Sequence, residues 1–234
     1  MNPTIFCPGG SAALEYAVPR LKKYLTFVDA PGPEVTHLLL PVPVTDPGRI
    51  QALLSQLPTD VTVIGGNLDL PRNTIDLLQD PIYLAQNAAI TADCAIRVAG
   101  RQLKIVFRNC PICILGWGRI GKCLAQQLAA MGAQVTIGAR KEADRATAVS
   151  LGFQVCLPQE VPEDCRILFN TIPAPVLEQI PADCIAIDLA SQRGLPGNDV
   201  IWARGLPGKD APESSGRLIA EAVLRHIYNK EDRA

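Results

Sequence analysis

The chain has 234 residues, 48% of them hydrophobic and 19% charged, enough to bury the core of one large domain or two compact ones. A formal net charge of −1 and an isoelectric point near 6.1 argue against nucleic acid or an anionic membrane as the partner. No apolar run reaches the roughly 18 residues of a spanning helix, and Met1–Gly10 lacks a basic leader and is broken by Pro3 and Pro8, so a cytoplasmic location is expected.

From Pro3 to Tyr83, short apolar or β-branched runs alternate with Pro, Gly and polar residues. Thr4–Cys7, Leu25–Val28, His37–Leu40, Val61–Ile64 and Ile82–Leu84 read as strands of a parallel sheet. Between them, Leu14, Ala17, Val18 and Leu21 mark a helix over Ala12–Tyr24, and Ile50, Leu53, Leu54 and Leu57 mark another over Arg49–Leu57. Asn87–Gly100, with Ala88, Ala92, Ala95, Ile96 and Ala99 on one side, reads as a connecting helix. Alternation then resumes: strand Ile112–Leu115, helix Arg119–Met131, strand Gln134–Ile137, helix Glu142–Leu151, and strands Phe153–Cys156, Ile167–Phe169 and Cys184–Asp188. Ser191–Pro212 is rich in Gly and Pro, holds a strand candidate at Val200–Ala203, and reads as an irregular loop over Gly205–Pro212. A last helix follows at Glu213–Tyr228, striped by Leu218, Ile219, Ala222 and Val223.

The expected fold is therefore α/β, with two doubly wound Rossmann-like domains built on parallel sheets and a C-terminal helix returning to the first domain. In this reading residues 1–87 form a first domain, 88–104 the linking helix, 105–212 a second domain and 213–234 the returning helix.

Gly116-Trp117-Gly118-Arg119-Ile120-Gly121 follows one apolar strand directly and opens a helix carrying Ile120, Leu124, Leu128 and Met131 on one face. That context gives the pattern its weight as a dinucleotide site. Gly116 permits the tight turn, Gly118 lets the backbone approach a pyrophosphate, and Gly121 lets helix and strand pack closely. The helix N-terminus offers amides and partial positive charge to the phosphates. About 20 residues on, where an NAD-selective site places a carboxylate, stand Gly138-Ala139-Arg140-Lys141. Arg140 and Lys141 suit a 2′-phosphate, which favours NADP with NAD as the alternative. Asn170 and Thr171 end one strand at the ligand-binding edge and are candidates for the nicotinamide ribose, and Asp188 ends the next.

Eight cysteines are scattered, most within apolar runs, and read as core residues. Cys110-Pro111-Ile112-Cys113 is a lone C-x-x-C with no second pair, so no metal site is expected. His37 and His226 are the only histidines, and neither sits in a motif for a proton relay.

Several stretches together resemble the A subunit of dipicolinate synthase, which makes pyridine-2,6-dicarboxylate during sporulation. They are Asn87–Ile96, Leu115–Gly121, Gly138–Lys141, Asp188-Leu189-Ala190-Ser191 and, most specifically, Ala203–Pro212 followed by Ser215-Gly216. The amino-terminal half is compressed relative to that family, and Asp93-Cys94 stands where Glu-Gly is expected. The resemblance implies oxidation of a cyclic dihydrodicarboxylate to an aromatic pyridine, with hydride passing to the nicotinamide, and a second synthase subunit; homo-oligomerisation stays open. Because aromatisation drives hydride loss, such chemistry needs placement and positive charge or amides for two carboxylates more than an acid–base apparatus. Lys209 is the candidate for one carboxylate, with a role in catalysis, and the Gly9-Gly10-Ser11 turn for the other. Two alternatives remain: a two-domain dehydrogenase of the 2-hydroxyacid or shikimate type, and a dinucleotide-binding subunit without turnover of its own.

Overall fold

The computed structural model describes residues 3–231. They divide into two compact units, one made of the described residues up to 87 and from 207 on, the other of residues 88–206.

The first unit carries a five-stranded parallel sheet of β1 (Thr4–Phe6), β2 (Thr26–Val28), β3 (His37–Leu39), β4 (Thr62–Gly65) and β5 (Thr74–Asp76), in the order β2-β1-β3-β4-β5. The order reverses between β1 and β3, so their carboxyl ends form a topological switch point, the place where open α/β sheets bind ligands. Helix α1 (Ala12–Leu21) starts where the Ser11 side chain accepts from the Leu14 N–H, and it buries Ala13, Leu14, Ala17 and Leu21. With α2 (Pro47–Leu54), the sheet encloses a core of Phe6, Val35, Leu38, Leu40, Leu54 and Val63. Each such aliphatic side chain contributes about 1.5–3 kcal/mol by leaving water.

Two expectations need correction in this unit. Ile82–Leu84 is not a strand but the first turn of α3 (Pro81–Gln102), and the edge strand is β5 instead. Asp80 caps that helix through the Ile82 and Tyr83 N–H groups, and Pro81 occupies the first helical position, where a missing N–H costs nothing. The apolar run Ile82-Tyr83-Leu84 belongs to a buried helix start, which periodicity over three residues cannot distinguish from a strand. Gly205–Pro212 is likewise not an irregular loop throughout: Leu206–Asp210 forms the short helix α6, closed by Ala211 N–H to the Pro207 carbonyl at 3.2 Å.

The last helix, α7 (Pro212–Glu231), packs on α1 within this unit, burying Leu218, Ile219, Ala222 and Val223 as its stripe requires. Gly216 permits the crossing, because a Cβ there would overlap the Ala13 carbonyl oxygen and press on Tyr16. Near the other end of α7, Arg225 and His226 both reach the Asp80 carboxylate, the histidine through Nε2 at 3.0 Å. Burial pushes the Asp80 pKa up, but Arg225, the two helix amides and His226 outweigh it and hold the group at about 2.

The second unit carries a six-stranded parallel sheet of β6 (Pro111–Leu115), β7 (Gln134–Gly138), β8 (Gln154–Cys156), β9 (Ile167–Asn170), β10 (Ile185–Asp188) and β11 (Ile201–Trp202). Its order, β11-β10-β9-β6-β7-β8, is the doubly wound arrangement of dinucleotide-binding sheets, with the switch point between β6 and β9. Helices α4 (Arg119–Ala130) and α5 (Glu142–Ser150) lie between its first three strands in sequence. Cys113, Leu115, Cys165, Leu168 and Ala186 pack into one apolar cluster, and Cys110 is buried as well, so the C-x-x-C is core.

Candidate dinucleotide site

At the switch point of the second unit, β6 runs into Gly116 at φ +101°, a conformation that favours glycine. A Cβ at Gly116 would overlap the Thr171 hydroxyl, and one at Gly121 would overlap the Gly116 carbonyl oxygen. These two glycines are demanded by packing. Gly118 is different: a Cβ there would meet nothing within 4 Å. It is also the N-cap of α4 and supplies no side chain to occupy the first-turn amides. The end of α4 thus offers uncapped N–H groups beside open space, which suits a pyrophosphate.

Beyond β7, Ala139 is buried and small, while Arg140 and Lys141 are exposed, Lys141 at the N-cap of α5. A residue not singled out from the sequence shapes this turn. Arg145, one turn into α5, folds back so that its Nη1 donates to the Ala139 and Arg140 carbonyls at 2.7 and 2.8 Å. The sequence signal was an arginine five positions after Arg140, legible only once the α5 start is known.

The other candidates at this edge are placed differently from one another. Thr171 donates its hydroxyl to the Leu115 carbonyl at 2.8 Å and stays half-buried beside Gly116. Asn170 is fully buried; its Nδ2 donates to the Ile172 carbonyl and to Asp188 Oδ1, and its Oδ1 accepts from the Ile172 N–H, each at 3.0 Å. Asp188 is equally buried and accepts from the backbone N–H groups of Ala190, Gly194 and Leu195. Both side chains are enclosed and engaged within this edge, so they brace it as internal struts. Gly194 completes the strut, since a Cβ there would overlap the Ala174 carbonyl oxygen and crowd the Asn170 amide. Trp117 is enclosed too: its indole is buried edge-on against Phe153, with ring centroids 5.8 Å apart. Arg119 is exposed on the first turn of α4, and Ile120 is half-buried.

The proposed substrate residues lie in the first unit. Gly9 and Gly10 have φ of +72° and +105° and line a pocket of about 70 Å³ at the β1/β3 switch point, with Pro41, Thr45 and Asp46. None of the described side chains lining it is cationic. The Ser11 hydroxyl is occupied as the α1 cap. Lys209 is exposed on α6. Of the histidines, His37 opens β3 beside Thr36, at the amino edge, and His226 is tied to Asp80. Among the described residues no cluster of three or more His, Cys, Asp or Glu could hold a metal ion, and no helix is long and apolar enough to cross a membrane.

Comparison with known proteins agrees with this geometry. Residues 106–205 match the family model described as acetohydroxy acid isomeroreductase, NADPH-binding domain. The A subunit of dipicolinate synthase from Bacillus subtilis strain 168 is 29% identical over 172 residues, covering 66% of this chain and 57% of that protein, so the match spans less than two thirds of that relative's length. Among solved structures, the A chain of dipicolinate synthase from Bacillus subtilis superposes with a TM-score of 0.84 at 21% identity, covering 100% of this chain and 98% of that one. A phosphoglycerate oxidoreductase from Vibrio cholerae O395 follows the fold more loosely, with a TM-score of 0.50 at 14% identity over 98% of this chain and 100% of that one. Both the sequence relative and the structure with the higher score belong to the dipicolinate synthase family that the motifs resemble. The chain thus has the fold of that synthase's A polypeptide, with a dinucleotide-binding domain of oxidoreductase type.

Proposed function

We propose that the chain is an NADP-dependent oxidoreductase that converts a cyclic dihydrodicarboxylate to pyridine-2,6-dicarboxylate, acting with a second synthase subunit. The observation that carries the reading is the contrast among the three glycines: two exclude a side chain by packing, while Gly118 borders open space at an uncapped helix end. When bound, the nicotinamide supplies the hydride acceptor. Gly116, Gly118 and the amides of Arg119 and Ile120 hold the pyrophosphate. Arg140 pairs with the 2′-phosphate, Lys141 adds charge, and Ala139 leaves room where a carboxylate would repel it. Asn170 and Asp188 position the edge that carries Thr171.

For the substrate, the carboxylates are assigned to Lys209 and to the amides of the Gly9–Gly10 turn. A second reading, a dinucleotide-binding subunit without this turnover, is favoured by the first unit's pocket, whose described lining brings no cationic side chain to a carboxylate. One experiment separates the two. The chain is purified with and without its partner subunit, given cyclic dihydrodicarboxylate and NADP, and followed by nicotinamide absorbance. Reduction of NADP supports the enzyme; binding without reduction in both preparations selects the second reading.

A further inference from the structure

The second unit contains a pair of thiols that the dinucleotide reading leaves unused. Cys165 directly precedes the Arg166 that leads into β9, and Cys184 directly precedes β10, its neighbour in the sheet; Ile185 N–H donates to the Arg166 carbonyl between them. The Cys184 thiol donates to Cys165 Sγ at 3.8 Å, and Cys165 donates in turn to the Ile167 carbonyl at 3.0 Å. Cys165 is 2% exposed, inside the apolar cluster, whereas Cys184 is half-buried and lines an open depression with Pro181, Asp183, Pro196 and Val200. One sulfur is therefore within reach of a small molecule, and the other waits behind it.

We propose that Cys165 and Cys184 form a reversible dithiol–disulfide site, oxidised by a low-molecular-weight disulfide, that staples the amino ends of β9 and β10. Cys184, as thiolate after passing its proton to solvent, attacks one sulfur of the small disulfide. A Cys184 mixed disulfide forms and one small thiolate leaves. Cys165 then loses its proton and attacks the Cys184 sulfur, expelling the second small thiolate. In sum, two protein thiols and one small disulfide become one protein disulfide and two small thiols. The first attack needs the Cys184 thiolate, and the hydrogen bond to Cys165 together with burial pushes the Cys184 thiol up, so the exchange speeds as pH rises. Cys113 and Cys156 also belong to this apolar region, and the bridge is assigned to Cys165–Cys184 because its half-buried member, Cys184, opens onto the depression. The site lies at the amino ends of strands whose carboxyl ends carry Asn170 and Asp188, and it does not depend on the identity of any cofactor.

The test treats the reduced full-length chain with glutathione disulfide and counts thiols after denaturation. The count falls from the eight of the sequence by two, the intact mass falls by about two mass units as two hydrogens leave, and a peptide linking Cys165 to Cys184 is recovered. Dithiothreitol reverses all three changes. Cys184→Ser, at the half-exposed position, keeps its fold and loses the change, and Cys165→Ala leaves an unresolved mixed disulfide on Cys184. No loss of thiols in the parent, a mixed disulfide that persists in the parent, or a linkage between other cysteines would each overturn the proposal.

Discussion

The two sheets are both parallel and both have a switch point followed by a helix, yet their helix N-termini are finished in opposite ways. In the first unit, Ser11 turns its hydroxyl onto the Leu14 N–H and closes the end of α1. In the second, Gly118 provides no side chain and leaves the end of α4 to an outside acceptor. A phosphate at α1 would compete with an internal cap worth about 1 kcal/mol, whereas at α4 it meets no competitor. The difference teaches that a glycine turn before a helix is not by itself an anion site; what matters is whether the helix already satisfies its own amides.

The strongest way to break this comparison is to add side chains at the two kinds of glycine. Gly121→Val forces a branched side chain into the Gly116 carbonyl and should destabilise the fold by about 3 kcal/mol or more, read by urea denaturation. Gly118→Val should leave the denaturation midpoint nearly unchanged and weaken NADPH binding by about 1–3 kcal/mol, roughly 5- to 150-fold. Equal stability losses at the two positions would remove the distinction between them.

A comparable effect is expected at Asp80, where the first unit joins α3 to α7. Asp80→Ala removes the α3 cap and both partners on α7, at a cost of about 2–4 kcal/mol by chemical denaturation. The native carboxyl is held at about 2 against an ordinary value of 3.8. Its stabilising contribution, about 2 kcal/mol, is therefore present above pH 4 and lost as pH falls through 4 toward 2. The parent should show this acid-side loss and Asp80→Ala should lack it; parallel pH profiles would contradict the assignment.

The glycine pattern, most strands and helices, and the returning α7 were legible because each has a local cause: strand-length apolar runs, a helical stripe, a turn residue. Part of what escaped was settled by partners distant in sequence, and part by local features that a stronger pattern masked. The α3 start at Asp80-Pro81 was hidden by an apolar triplet, although its cap and proline stood beside it. The closed environments of Asn170 and Asp188 depend on each other and on Gly194, contacts that no spacing rule predicts. Arg145 became visible only when α5 brought its side chain back over the turn after β7. For Trp117, motif membership suggested a ligand contact, while its size directed it into the core against Phe153.

At the turn after β7, Arg140→Ala should weaken NADP by about 1.5–3 kcal/mol and NAD far less, measured by titration with each cofactor. Arg145→Lys keeps the charge but not the fixed planar geometry with which Nη1 reaches both carbonyls, so it should reduce the same preference by a smaller factor, about 2- to 12-fold from one net hydrogen bond. Equal losses for the two cofactors in both variants would show that this turn does not read the 2′-phosphate. Smallest of all should be Ser11→Ala, costing about 1 kcal/mol of stability through its cap and leaving dinucleotide affinity unchanged.

The most direct test of the central claim is a fluorescence titration of NADPH against the parent, Gly118→Val and Ser11→Ala, carried out under one condition with folding verified for each. The account predicts that the parent and Ser11→Ala bind with the same affinity, while Gly118→Val binds at least about fivefold more weakly. Parental affinity in Gly118→Val, or a loss in Ser11→Ala instead, would contradict placement of the dinucleotide at the open end of α4.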